Sequence, residues 1–346
     1  MANLRGRIQK AESNNLLGQE ESELQKEIEY YREHGFRDDK DLLGFIARAY
    51  PDKSGNPLTI PRAHVCEHHN SPADYICDTF FERVQNSICW SNRGGGKTLL
   101  AGLCTWLDSA FKGGCSTKIL GGSQEQSKRV YEHLTGEGDG WGLVTEDFQY
   151  LLNGEMLAQG SKLNNQSNIQ ILTASSRSVR GAHPQKMKLD EVDEMDPSIY
   201  QAALLVPQTK RGIKSSLQIF STMHKAYGLM NQVITEADER GYRVYKWCIF
   251  DVIERCTPDR ECALCELWPD CQGKARAADG FYGIEDAITK RRQVSVDTWN
   301  SEMLCNKPSQ EGLIYGEFDW LLHVQDPPKR DDEDPEGGGG EGAAGL

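Results

Sequence analysis

One run constrains this chain more than any other: Ser91-Asn92-Arg93-Gly94-Gly95-Gly96-Lys97-Thr98. Consecutive glycines free the backbone for left-handed angles and turn successive amide N–H groups inward, a concave ring of donors suited to phosphate oxygens. In such a loop Lys97 reaches the β and γ phosphates of ATP, and the Thr98 hydroxyl holds Mg2+. The chemistry also needs a strand before the loop and a helix after it. Val84 to Trp90 reads as a short buried strand, and Thr98 to Phe111 has helical spacing, with Leu99, Leu100, Leu103, Trp106 and Leu107 on one face. Gly113-Gly114 is a plausible stop. The positive end of that helix then faces the phosphates. The general pattern G-x-x-x-x-G-K-[ST] is met except at its first position, where Ser91 stands for glycine.

Hydrolysis needs a second element, a strand ending in carboxylates. Lys186-Met187-Lys188-Leu189-Asp190-Glu191 supplies it. Asp190 is expected to bind Mg2+, and Glu191 to orient and deprotonate the attacking water. Asp193-Glu194 follows, but only the first pair directly succeeds the apolar positions. Lys186 and Lys188 alternate with Met187 and Leu189, which is unlike the near-continuous apolar run of a buried parallel strand.

These elements occur in an order that carries a resemblance. Asn92 to Thr98 comes first, then Gly121-Gly122-Ser123 with Gln126, then Arg180-Gly181 ahead of Asp190-Glu191, then Leu217-Gln218-Ile219-Phe220-Ser221-Thr222. Over roughly residues 60 to 325 the chain resembles the large subunit of a tailed-phage terminase. The resemblance implies an arginine inside the phosphate loop, matched by Arg93, and tolerance of the lost first glycine. It also implies a coupling motif after a downstream strand, matched by Ser221 and Thr222, and an adenine contact from the segment ahead of the loop. The fold it implies is α/β, a P-loop NTPase of the RecA-like (ASCE) kind with a mostly parallel sheet flanked by helices. The implied activity is ATP hydrolysis coupled to translocation of double-stranded DNA into a procapsid. The implied partners are the portal protein, the small terminase subunit and further copies of the chain in a ring, in the cytoplasm of an infected bacterial host. An arginine from the same or a neighbouring subunit completes such a site, and Arg93 is the candidate from the same chain.

Two other functions fit parts of the pattern. A superfamily 2-type helicase or DNA-repair ATPase would need a second RecA-like domain, for which the chain is short. A non-enzymatic, zinc-stabilised DNA-binding or assembly factor would suit the departure at Ser91 and the two strand lysines.

The formal net charge of −13 is unexpected for a protein that handles DNA, but the segment from Asp326 onward contributes −5, leaving −8. A motor needs only a local basic surface, and Lys210, Arg211 and Lys214, or Lys290-Arg291-Arg292, could supply one. No stretch is long and apolar enough to span a membrane, and the N-terminus lacks the apolar core of a signal peptide.

Cys256, Cys262, Cys265 and Cys271 are spaced C-x5-C-x2-C-x5-C in a polar segment. Thiolates in this number can close a tetrahedral Zn2+ shell and fold a loop with little apolar core, with an iron–sulfur cluster as the alternative. The run His64-Val65-Cys66-Glu67-His68-His69 lacks the usual paired spacings of metal ligands.

The organisation expected is a helical leader and linker over 1–58, with Leu24, Ile28 and Tyr31 on one helical face inside Glu20 to Glu33. A P-loop ATPase domain follows over 59–250, then a cysteine-rich lid-linker over 251–325. The remainder, 326–346, is acidic and glycine-rich and cannot bury enough apolar surface to fold. The nuclease domain that follows the ATPase in the resembled family is not expected in this chain, and would be lost, cut off or separately encoded.

Overall fold

Short β-rich runs separated by helices build a seven-stranded sheet, in the order β3-β4-β2-β5-β6-β1-β7. The structure, a computed structural model, describes residues 21–52 and 54–308. Its strands are β1 (Asn86–Ser91), β2 (Ser116–Gly121), β3 (Gly160–Lys162), β4 (Asn168–Ile171), β5 (Lys186–Asp190), β6 (Ser216–Ser221) and β7 (Tyr242–Trp247). All neighbours pair in parallel except β3 with β4 at one edge. Parallel neighbours need crossover connections, and helices cover both faces, so that the central strands β5 and β6 are buried along their whole length.

Period-two alternation sorts each strand's side chains between two cores. Cys89, Ile119 and Phe220 face one apolar cluster, whereas Ile88, Leu120 and Ile219 face the other. The first cluster is covered by helices α1 (Glu23–His34), α2 (Asp39–Ala49), α3 (Pro72–Phe80), α4 (Lys97–Phe111) and α5 (Gln124–Thr135). The leader helix therefore docks on the core. Ser22 caps α1 through a reciprocal box with Gln25, and the buried Ile28 and Tyr31 pack with Leu42, Phe45 and Ile46 of α2. Each such side chain removed from water contributes roughly 1.5–3 kcal/mol.

Over the second face lie α6 (Ser176–Arg180), α7 (Pro197–Leu204), α8 (Leu229–Thr235), α9 (Ile249–Val252), α10 (Trp268–Cys271) and α11 (Ile284–Gln293). The cysteine-bearing segment joins this core rather than standing apart, since Ile253, Leu267, Ile284, Ile288 and Trp299 belong to the same cluster as Met187 and Leu189.

β5 departs most from its sequence pattern. Lys186 and Lys188 are buried, and every residue of the strand is enclosed. Lys186 Nζ lies 2.7 Å from Glu82, and Lys188 Nζ lies 2.5 Å from Gln218 Oε1 and 3.5 Å from Asp108. Burial would raise the Asp108 pKa, but Lys112, Lys188 and Lys186 outweigh it and hold the carboxyl at about 2. The alternation that reads as a half-exposed strand is a buried charge network instead. Among the described residues no helix is long and apolar enough to cross a membrane. The acidic segment 326–346 and the end of the expected lid-linker, 309–325, lie outside the described residues.

Candidate functional site

Parallel pairing brings the carboxyl ends of β1, β5 and β6 to one edge of the sheet. β6 lies between the other two, with Trp90 opposite Ser221 and Asp190 opposite Phe220. The glycine-rich loop leaves β1 here, Asp190 and Glu191 end β5, and Ser221-Thr222 end the strand between them.

The loop takes the form its composition requires. Gly94 and Gly96 have φ of 74° and 81°, in the left-handed region. Gly96 is the N-cap of α4 and offers no side-chain cap, so the first amide groups of a 15-residue helix are left for an anion. The Trp247 indole, at the end of β7, donates to Gly95 O at 2.9 Å, and Asn92 N donates to Trp247 O at 3.3 Å. Phe281 and Tyr282 close over the loop, within 3.1 Å and 2.9 Å of where a Cβ on Gly96 or Gly94 would stand. These aromatic braces come from residues far along the chain, and no local pattern marks them.

Lys97 Nζ lies 3.1 Å from Glu191 Oε1, with the lysine side chain almost fully enclosed. Glu191 follows β5 with φ of 50°, a left-handed conformation that costs a non-glycine residue about 1–3 kcal/mol. Its amide donates to Phe220 O at 2.8 Å, which fixes the turn. Asp190 is buried, and its Oδ1 has no hydrogen-bond partner. Burial, and after it the Glu191 charge, push the Asp190 carboxyl up to about 7 against the opposing pull of Lys97. An orphaned, desolvated carboxylate oxygen at the end of β5 suits Mg2+ in its chemistry.

Asp193 and Glu194 are engaged elsewhere. Asp193 accepts from the amides of His224, Lys225 and Met230 at 3.1–3.2 Å, and its own amide donates to Ser221 Oγ at 3.3 Å. Glu194 pairs with His224 at 2.5 Å and Lys225 at 3.0 Å. The second acidic pair thus pins the loop that follows Ser221-Thr222. Both of those hydroxyl residues are buried.

Arg93 is engaged by Glu302. Its guanidinium forms an ion pair with Glu302, and its amide donates to Glu302 O at 2.8 Å. Ser91 and Asn92 are both buried at the base of the loop. Beside the loop is a cavity of about 350 Å3, bordered by Leu58, Ile60, Pro61, Gly95, Gly96, Trp141 and Phe281 among others. Residues 56–61, ahead of the loop in sequence, contribute to its lining.

Cys256, Cys262, Cys265 and Cys271 line one pocket together with Arg260 and Arg276. Arg276 donates to Cys262 Sγ at 3.3 Å. The donor set suits zinc, but no three of these sulfurs lie within 4.8 Å of one another, so the loop must contract to hold an ion. Of the basic runs, Arg292 is paired with Glu266, and Arg291 lies over the Trp299 ring at 5.5 Å. Lys210, Arg211 and Lys214 are exposed.

No protein-family model matches the sequence, and no curated protein matches it. Among solved structures the chain is similar to the large terminase of bacteriophage HK97, with a TM-score of 0.52 and 16% identity, over 78% of this chain and 55% of that one. It is also similar to the large terminase of a thermophilic bacteriophage in complex with ADP (TM-score 0.45, 14% identity, 71% of this chain and 55% of that one). The ATPase domain of the Thermus phage P74-26 large terminase matches with a TM-score of 0.37 at 14% identity, over 65% of this chain and 89% of that domain. The fold is that of a P-loop ATPase. The HK97 large terminase shares this fold, and the chain spans 55% of the length of that protein.

Proposed function

We propose that this chain is the ATP-hydrolysing motor subunit of a phage terminase and drives double-stranded DNA into a procapsid. The observation that carries the reading is the meeting of Lys97, Asp190, Glu191 and Ser221 at one sheet edge, on a fold shared with the HK97 large terminase.

In this reading ATP places its phosphates on residues 91–98, against the uncapped start of α4. Lys97 then leaves Glu191 for the β and γ phosphates. Thr98 and Asp190 would hold Mg2+, directly or through water, and the ion would supply charge neutralisation at the γ phosphate. Glu191, released from the lysine, orients the attacking water and takes its proton. The adenine occupies the apolar cavity beside Gly95 and Phe281, where a flat ring can displace water from Leu58, Ile60 and Trp141. Loss of the γ phosphate is read by Ser221 and Thr222. Their movement passes through Asp193 and Glu194 to the loop at 223–230. Arg93 completes the site in cis once it leaves Glu302, or an arginine of a neighbouring ring subunit does so.

The structural Zn2+ of the cysteine-rich segment is part of the proposal, held by Cys256, Cys262, Cys265 and Cys271. The portal protein, the small terminase subunit and the DNA are the partners, in the cytoplasm of an infected bacterium. The test is Glu191→Gln, which keeps the size and hydrogen-bonding reach of the side chain but removes the base. ATP binding is expected to persist while turnover falls by about 100-fold or more. Retained turnover would remove Glu191 from its role.

A further inference from the structure

Cys66, His69, Cys248 and Asp251 are distinct from the four cysteines of the cysteine-rich loop and have no part in the phosphate chemistry. Two short turns bring them together. Cys66-x-x-His69 precedes α3, and Cys248-x-x-Asp251 runs from the end of β7 into α9. One ligand atom from each lies within 4.8 Å of all the others, and this is the only such group of His, Cys, Asp and Glu among the described residues. The paired spacing is invisible in either run alone, because each contributes half a ligand set and their partners are far apart in the chain.

The geometry is close to that of an ion shell. The Cys66 and Cys248 sulfurs are 3.5 Å apart, where thiolates on one tetrahedral Zn2+, each at about 2.3 Å, would stand roughly 3.8 Å apart. His69 Nδ1 and Asp251 Oδ2 are 2.6 Å apart and need to open by less than about 1 Å to take an ion between them. The supporting contacts are already present. Asp251 accepts from Cys66 N at 3.2 Å and Cys248 N at 2.8 Å, which orients the carboxylate as outer-shell donors do in metal centres. His68 has φ of 60°, and this reversal turns His69 back toward Cys66. Cys248 and Asp251 are buried, while Cys66 and His69 are part-exposed and leave a way in.

His64 and His68 are excluded, since they face Asp74 and Glu67 instead. Two thiolates, an imidazole and a carboxylate form a borderline-soft donor set that suits Zn2+ and disfavours Mg2+ or Ca2+.

We infer that Cys66, His69, Cys248 and Asp251 form a structural Zn2+ site that clamps the segment ahead of α3 to the end of β7. The clamp sits immediately behind the phosphate loop. Trp247, next to Cys248, donates to Gly95 O and accepts from Asn92 N, and Asn70, next to His69, donates through its amide to Lys246 O at 2.8 Å. The ion fixes the strand end that holds the loop's glycines. The inference is independent of the DNA-packaging reading and of zinc in the cysteine-rich loop.

The test is zinc stoichiometry by elemental analysis of the full chain, purified under reducing conditions. The Cys66→Ser/Cys248→Ser variant is expected to carry one zinc per chain fewer than wild type, and Cys262→Ser/Cys265→Ser to keep that ion. Wild-type zinc content in the first variant would overturn the site, as would a Cys66–Cys248 disulfide found by peptide mapping of wild type. If the first variant fails to fold, zinc X-ray absorption on Cys262→Ser/Cys265→Ser decides alone. A shell of two sulfurs and two nitrogen or oxygen ligands is expected; bound zinc with any other sulfur count, or no zinc, contradicts the site.

Discussion

Asp190→Asn should make the nucleotide-free protein more stable at neutral and alkaline pH while removing Mg2+ binding. The Asp190 carboxyl is buried with an unpartnered oxygen beside Glu191, and its pKa is lifted from 3.8 to about 7. In the unfolded chain the group ionises near its ordinary value, whereas in the folded protein it keeps its proton until about pH 7. Between those limits the unfolded state sheds its proton first, so stability falls as pH rises, and the penalty is complete above pH 7. At about 1.4 kcal/mol per pH unit it reaches roughly 4 kcal/mol. An asparagine carries no charge, but its amide is still buried without a full set of partners, at about 1–3 kcal/mol. The net gain is therefore roughly 1–3 kcal/mol near pH 8 and vanishes toward about pH 5. Denaturant unfolding of both proteins across that range, without Mg2+, measures it. A variant less stable than wild type at pH 8, or a difference that does not change with pH, would refute the reasoning. Adding Mg2+ with nucleotide should reverse the order, because only wild type gains a ligand. A site that costs stability until its ion arrives is the expected compromise between folding and chemistry.

Lys188→Met should cost roughly 1–3 kcal/mol, since it removes the closest donor to the buried Gln218 Oε1 and one of the lysines facing Asp108, where Lys112 remains at 2.8 Å; an unchanged denaturant midpoint would show that Lys188 contributes little to the buried network. Asp193→Ala strips the acceptor from the amides of His224, Lys225 and Met230, so hydrogen exchange over 223–230 should quicken and stability fall by roughly 2–3 kcal/mol. Unchanged exchange in that loop would detach Asp193 from the coupling route.

Much of the fold was legible because the informative segments are short and strongly punctuated. The expected strand at Val84 to Trp90 is β1, shifted by a residue or two, and the expected helix from Thr98 to Phe111 is α4, which starts at Lys97. The strand expected at Leu217 is β6, and within the Gly121-Gly122-Ser123 motif Ser123 caps α5 by accepting from the Gln126 amide. Three matters escaped a local reading. Lys186 and Lys188 made the run unlike a buried parallel strand because a sequence window cannot see Glu82 and Asp108, which neutralise them from other elements. The insertion of β6 between β1 and β5 is a property of topology, and it alone puts Ser221 between the phosphate loop and the acidic pair. Cys66 and His69 looked like a cluster without a metal spacing because Cys248 and Asp251 arrive only when β7 pairs with β1. Arg93 shows the converse. Its place in the loop suggests a phosphate contact, yet Glu302 competes for the guanidinium from a distant segment.

The central claim is that the loop around Lys97 drives a DNA motor, and steady-state ATP hydrolysis tests it most directly. Wild type and Lys97→Ala should be compared with and without double-stranded DNA. Wild type should hydrolyse ATP, faster with DNA present, and the variant should lose hydrolysis. Equal turnover in both proteins would contradict the assignment of the site, and wild-type turnover indifferent to DNA would contradict the motor.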